Sequence, residues 1–261
     1  MKKIIIIGAA SGMGKELARL LYNKGYTLAL ADINTSELDN LSVEFDHKVI
    51  TKTIDVTSNS SRALLEELIS ELNGVDTFIY TAGLSDKTRI WKNEFRLHQV
   101  NAIGFAAMAS YMYDYWRGNN QKGHIVGISS ILAVRGIRQA IAYCASKSFM
   151  RIYMQGLRHD AVRNGSGIII TEIRPGFIDT PMTLKCPNSF WMISAKKAAQ
   201  LIFRSIIKKK KVAYVPGRWR LAAIVFKLIP EFSYWIRLGS FKKLPGQLFF
   251  RSQERPLHSN R

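Results

Sequence analysis

The sequence predicts an α/β fold, a doubly wound parallel sheet of about seven strands with helices on both faces. Three observations carry this. Short apolar runs alternate with longer segments of helical periodicity from residue 3 to residue 215, and each parallel strand connection needs such a crossover. The 261 residues show no internal repeat and no Pro/Gly/Ser linker, and α/β folds of this length are commonly single domains. The first apolar run leads straight into a glycine-rich bend and a helix pattern, KIIIIGAASGMGKELARLLY.

That opening has a competing reading, because two lysines before an apolar run also resemble a secretory signal. A signal stays apolar for about 7 to 15 residues and then reaches a cleavage site. Here the run stops at Gly8, and helical spacing begins with Leu17, Leu20 and Leu21. The better reading is a strand over 3–7, a turn with Gly8, Gly12 and Gly14, and a helix from Met13 to about Tyr22. Such a turn brings bare backbone up to a pyrophosphate and aims the positive end of the helix at it. TLALAD follows as a second strand ending in Asp32, 18 residues beyond Gly14. That is close to the ~20 expected for an acid that binds ribose hydroxyls. Asp32 can instead cap the helix that NTSEL begins, but glycine turn and acid together favour the ribose. The unit is Rossmann-like.

The remaining elements follow in order. Strands are expected at 26–31, 48–54, 75–80, 123–128, 167–173 and 211–215, and helices near 35–44, 59–72, 95–116, 141–163 and 195–207. In such a sheet ligands bind at the carboxyl ends of the strands. Residues 1–215 then form the dinucleotide-binding and catalytic domain, and 216–261 a basic, aromatic-rich extension.

The charge is uneven. The net is +19, and residues 208–261 hold 13 Lys and Arg against Glu231 and Glu254. Such an excess calls for an anionic partner. Two cysteines, Cys144 and Cys186, make no disulfide framework and suit a reducing, cytoplasmic setting. No run of 18 uncharged apolar residues is present to span a bilayer.

Chemistry enters at YCASK, which puts Tyr143 and Lys147 four residues apart, on one helical face. A phenol has a reference pKa of about 10, and a neighbouring ammonium favours its phenolate, making a proton donor and acceptor usable near neutrality. Alone, this pair is as readily a solvated helix face. Ser130, at the end of GHIVGISS, can hold a carbonyl oxygen against the tyrosine or simply make a turn. Pro175, Gly176 and Thr180 in IRPGFIDT stand where the nicotinamide end of a dinucleotide would be enclosed.

Taken together, these motifs resemble the short-chain dehydrogenase/reductase family, in its branch of roughly 250-residue single-domain members. The resemblance rests on GAASGMG (8–14), Asp32, IDV (54–56), Ala82 and Gly83, VNAIG (100–104), ISS (128–130), YCASK (143–147) and RPGFIDT (174–180). It implies an oxidoreductase with Tyr143 as acid and base, Lys147 lowering its pKa and binding the nicotinamide ribose, and Ser130 orienting the substrate. It further implies that Asn101 holds a water linking Lys147 to solvent, that Asp55 and Val56 border the adenine, and that Ile178 and Thr180 contact carboxamide and phosphates. The glycine turn with Ser11 and Met13 would hold the pyrophosphate. NAD is expected over NADP, because Asp32 repels a 2′-phosphate and neither Ser11 nor Ile33 is basic; Lys15 is the residue that would favour NADP. Two positions depart from the family pattern. Ile7 replaces a threonine and YTAG replaces NNAG, so a polar tether between the first and fourth strands is expected to be missing, with apolar packing of Ile7 in compensation.

Met182, Phe190, Trp191 and Met192, with Phe177, suit either a bulky apolar, lipid-like substrate or a lid packed on the core. Arg135 and Arg138 stand ready for an anionic substrate tail. The extension, interrupted by Lys227, Pro230, Glu231 and Arg237, suits a surface-lying membrane helix pair on an anionic membrane, a cap over the pocket, or an oligomer contact. A homo-oligomer is expected. No nucleic-acid recognition motif accompanies the charge. The alternative function is a catalytically idle dinucleotide-binding regulator or scaffold, which has no need of the full Asn101, Ser130, Tyr143 and Lys147 set.

Overall fold

Strand β1 (Lys3–Ile7) carries four isoleucines, none more than 2 % exposed. A parallel strand covered on both faces needs no polar alternation, and this one has none. The computed structural model describes residues 2–182 and 191–228. In it β1 is followed by α1 (Gly12–Tyr22), β2 (Thr27–Asp32), α2 (Thr35–Glu44), β3 (Ile50–Thr53), α3 (Ser61–Glu71) and β4 (Thr77–Tyr80). Then come α4 (Trp91–His98), α5 (Phe105–Gly118), β5 (His124–Ile128), α6 (Ile141–Arg163) and β6 (Ile169–Pro175). A short parallel pair, β7 (Ile178–Asp179) and β8 (Ile193–Ser194), precedes α7 (Ala195–Ile207), β9 (Val212–Val215) and α8 (Trp219–Leu228).

The main sheet has seven parallel strands in the order β3-β2-β1-β4-β5-β6-β9. The predicted doubly wound α/β sheet is therefore present, with its strand number. The chain winds outward from β1 to β3, then crosses to β4 on the other side of β1. The cleft at that reversal, beyond the carboxyl ends of β1 and β4, is where such sheets bind ligands. The β1 isoleucines divide the core: Ile5 and Ile7 join Phe78, Tyr80, Phe105 and Trp116 on one face, while Ile4 and Ile6 join Leu17, Leu21, Leu30 and Ile202 on the other.

Two differences from the sequence reading matter. The helix expected over 95–116 is two helices joined by a π-helical turn, Gln99–Gly104. Within that turn the Val100 carbonyl accepts from the Tyr80 hydroxyl at 2.6 Å, and Asn101 is fully buried with partners on other elements. One extra residue in a helical turn leaves the apolar spacing on either side nearly unchanged, so periodicity alone does not disclose it. Secondly, the Lys208–Lys211 run leads into the amino end of β9, away from the ligand end of the sheet, whereas α8 follows its carboxyl end. Among the described residues, the basic groups after residue 207 thus divide between the two ends of β9.

Residues 183–190, which hold Cys186 and Phe190 of the expected lid segment, and 229–261, which hold Phe232, Trp235, Ile236 and Arg237, lie outside the described residues.

Candidate active site

The bend after β1 depends on glycine for close approach. A Cβ on Gly14 would sit 2.0 Å from the Gly8 carbonyl oxygen, and one on Gly8 would sit 2.3 Å from the Ala82 nitrogen. Gly8 also has φ +85, a backbone that L side chains avoid. The turn is therefore clamped between α1 and the loop after β4. The polar tether expected to be missing is present, because Thr81 Oγ1 donates to the Ile7 and Gly8 carbonyls at 2.8 Å each. The YTAG departure moves the polar group to Thr81, while Ile7 is fully buried and Tyr80 hydrogen-bonds Val100.

Asp32 accepts from the Ala10 amide at 2.9 Å and the Asn34 amide at 3.1 Å. The cap of α2 is Asn34, which accepts from the Glu37 amide at 3.2 Å, so Asp32 is not the cap. Asp32 is one wall of a cleft of about 430 Å³ that Gly8, Ser11, Gly12, Met13, Ile33, Asp55, Val56, Ala82, Gly83 and Thr180 also line. Asp55 is held below the usual carboxylate range, first by the Thr57 amide and then by the Thr57 hydroxyl. Ser11 precedes α1 in extended backbone with no side-chain capping bond, and the first turn of α1 holds no acidic residue. That end of the helix therefore keeps its positive character toward the cleft. Lys15 is engaged with Glu37 at 2.8 Å. The glycine cradle, the helix end and the ribose-type acid fit a dinucleotide.

Tyr143 and Lys147 occupy the first turns of α6, with the Lys147 Nζ 5.9 Å from the Tyr143 ring centroid. Lys147 is 4 % exposed; its Nζ donates to the Ile128 carbonyl at 2.9 Å and lies 3.4 Å from Met150 Sδ. Burial drives its pKa down to about 7. Burial pushes Tyr143 up to about 12, opposed by its hydrogen bond with Ser130. Desolvation disfavours both charged forms, the phenolate and the ammonium. Asn101 ties three elements together, donating to the Leu84 carbonyl and Ser146 Oγ and accepting from the Leu84 amide, at 2.8–3.0 Å. A Cβ on Gly83 would meet both Asn101 Oδ1 (3.3 Å) and Lys147 Nζ (3.4 Å), so these two groups lie beside Gly83 and do not themselves line the cleft.

A second cavity of about 90 Å³ is lined by Ser130, Tyr143, Ile131, Leu132, Phe177 and Gly176, among others. Ser85 and Met182 line both spaces. Gly176 borders this smaller cavity rather than the cleft, Pro175 closes β6 against Val215, and the Ile178 side chain is in the core, leaving its backbone for a ligand.

Several contributors were not visible in the sequence. Arg96 lines the cleft near Asp55. Glu172, fully buried, accepts from Ser129 Oγ at 2.8 Å and from Arg174 at 2.7 and 2.8 Å, bracing the strand end that carries Ser130. Trp219, expected in a membrane-facing group, is 1 % exposed; its indole lies over Gly176, against Phe177 and Trp191. Arg135, expected to meet a substrate anion, donates to the Phe226 carbonyl in the last turn of α8 at 2.9 Å.

Comparison with known proteins places the chain in a family. The short chain dehydrogenase family profile matches residues 2–189. An uncharacterized oxidoreductase of Mycobacterium tuberculosis is 29 % identical over 86 % of this chain and 91 % of its own. Dehydrogenase/reductase SDR family member 7B of Mus musculus is 27 % identical over 95 % of this chain and 79 % of its own. Among solved structures, a short chain dehydrogenase/reductase from Burkholderia phymatum in complex with NAD superposes with a TM-score of 0.79 at 20 % identity, covering 85 % of this chain and 92 % of that one. A short-chain dehydrogenase from Sphingobium yanoikuyae in complex with NADPH gives 0.75 at 20 %, covering 87 % and 94 %.

Proposed function

The chain belongs to the short-chain dehydrogenase family of oxidoreductases, and within it we propose an NAD(H)-preferring enzyme that interconverts a hydroxyl and a carbonyl on a bulky apolar, lipid-like substrate. The observation that carries this is the meeting of two spaces. The cleft of about 430 Å³ and the smaller apolar cavity share Ser85 and Met182, and Tyr143 and Ser130 stand on the wall of the smaller one.

A bound nicotinamide dinucleotide supplies or takes the hydride; the chain supplies position and the proton. Ser130 Oγ accepts from the Leu132 amide at 3.1 Å and is hydrogen-bonded to Tyr143, so a substrate carbonyl entering between the two would take up the Ser130 proton in place of the phenol oxygen. Tyr143 holds its proton at neutral pH, its pKa being raised to about 12, and this is the form that donates to the carbonyl oxygen during reduction. In oxidation the same oxygen must accept a proton. Lys147, titrating near 7, favours that phenolate when charged. Asn101, fixed by Leu84 and Ser146, positions the water through which Lys147 exchanges protons with solvent.

Asp32 supports NAD(H), since its carboxylate accepts from ribose hydroxyls and repels a 2′-phosphate. The NADPH complex among the structural neighbours marks the opposite choice within the same fold. Phe177, Ile131, Leu132 and Met182 around the small cavity support an apolar substrate. A homo-oligomer belongs to the same proposal, supported by the exposed apolar residues Trp91, Phe95, Phe149 and Ile152 of α4 and α6; a monomer mass by sedimentation would exclude it.

The test is a screen of NADH oxidation against ketones of graded chain length, and of NAD reduction against the matching alcohols, with both cofactors titrated by fluorescence. Turnover should rise with apolar chain length, and NADH should bind more tightly than NADPH. Tighter NADPH binding refutes the cofactor assignment. Silence with every substrate returns the function to a dinucleotide-binding scaffold.

A further inference from the structure

Helix α8 is amphipathic in an unusual sense, because both of its faces are apolar. The inner face, Trp219 and Ala223, is buried at 1 % and 2 % exposure, and Trp219 packs with Ile131 and Phe177 of the small cavity's wall. The outer face carries Leu221, Ile224, Val225 and Leu228, exposed at 71, 45, 56 and 73 %. Their spacing of three, four and seven residues sets them in one stripe. Arg218, Arg220 and Lys227 lie exposed on the same helix or at its start, and no acidic residue occurs between Val212 and Leu228. The 33 residues that follow add six basic residues against two glutamates.

We propose that this outer face of α8 docks the protein, parallel to the surface, on an anionic lipid membrane. The proposal does not depend on hydride transfer. Charge complementarity selects an anionic surface, each basic residue near it multiplying the partition by about fivefold, and the aliphatic stripe selects lipid. A nucleic-acid phosphate backbone gives four exposed aliphatic side chains nothing to bury. A second copy presents the same positive face and is repelled. One ten-residue helix also falls short of the ~800 Å² that each partner of a stable dimer contributes. No helix among the described residues is long and apolar enough to cross a membrane, which fits docking without spanning.

The inner face gives the docking a consequence. Trp219 covers Gly176 and Phe177, and Arg218 holds Trp191 by a 3.0 Å bond to its carbonyl and a 5.2 Å contact over its ring. A helix is about 10 Å across, so docking by the outer face sets the small cavity about one helix diameter from the lipid. An apolar substrate then passes from the bilayer to the cavity with little exposure to water.

The experiment is co-sedimentation of the full chain with phosphatidylcholine vesicles and with vesicles containing phosphatidylglycerol, at 50 and 500 mM salt. A Leu221→Ser/Val225→Ser double variant runs alongside; both residues are exposed, and an unchanged thermal midpoint verifies folding. Expected are binding to the anionic vesicles at low salt, weaker binding at high salt, and at least a tenfold loss in the variant, about what two exposed aliphatic side chains contribute on burial. Intact protein left in the supernatant at low salt overturns the proposal. So does a variant that binds like the intact chain, which would move the contact to another segment. A variant that instead lowers the protein's mass in solution shows that a second copy covers the face, and stronger binding to duplex DNA than to vesicles, unaffected by the variant, shows a nucleic-acid site; either result also overturns it.

Discussion

Replacing Thr81 by valine removes the hydroxyl that joins β1 to the loop after β4 while keeping shape and β-branching. The Ile7 carbonyl retains the Thr81 and Ala82 amides, at 2.8 and 3.1 Å. The Gly8 carbonyl loses the Thr81 hydroxyl, and it is pressed beneath α1, 2.0 Å from where a Gly14 Cβ would lie, so water cannot easily replace the donor. Losing a neutral hydrogen bond costs about 0.5–1.5 kcal/mol, and a stranded buried carbonyl raises this toward about 1–3. We expect Thr81→Val to destabilise the protein by about 1–2 kcal/mol. Thr81→Ser, which keeps the hydroxyl and loses one methyl, should cost less than about 1 kcal/mol. Urea unfolding reads both as a shift in midpoint at constant slope. Because Thr81 also lines the cleft, the valine variant should weaken NADH binding by up to about tenfold, the equivalent of 1.4 kcal/mol spent reordering the turn. A valine variant as stable as the parent, with the serine variant no better, would refute the tether.

His124 and α8 give two further expectations. His124 is 7 % exposed, 2.7 Å from Thr171 Oγ1, and burial lowers its pKa to about 4 from an ordinary 6.5. The folded state then binds fewer protons than the unfolded one in that window, so the full stability present above pH 6.5 falls by about 3 kcal/mol as pH drops to 4. Urea midpoints of His124→Gln should lose that part of the pH dependence; an unchanged slope would contradict it. Trp219→Ala removes the anchor of α8, a truncation of the kind that costs about 3–5 kcal/mol in a core, and should detach the helix locally. Trypsin should then cut at Arg218, Arg220 and Lys227 well before the rest of the chain, whereas parent-like resistance would argue that other contacts hold α8.

Much of this was legible in the sequence because the relevant signals are local. Four isoleucines, a glycine turn and an acid 18 residues on specify β1, α1 and β2 as one unit, whereas the order of the seven strands comes from the structure. Tyr143 and Lys147 share a helix, so their proximity is a matter of spacing. What escaped were contacts made across the chain. Thr81 looked like a defect because its acceptors, the Ile7 and Gly8 carbonyls, lie 74 and 73 residues away. Glu172 carries no sequence signal of its partner Ser129, 43 residues away. Trp219 sat in a basic, aromatic stretch that resembled a surface helix throughout; its pairing with Gly176, whose missing side chain admits the indole, has no signature in spacing. The pKa balance of Tyr143 and Lys147 likewise depends on burial, which the motif does not state.

The central claim is that Tyr143 moves the proton of a carbonyl–hydroxyl interconversion. Its most direct test is single-turnover NADH oxidation with the best ketone from the chain-length screen, comparing the parent with Tyr143→Phe. The ring stays and the transferable proton goes, so the rate should fall by about 10² to 10⁴, while NADH fluorescence titrations give the same affinity for both. A variant that keeps most of its turnover would show that another group carries the proton, and the assignment of Tyr143 would be wrong.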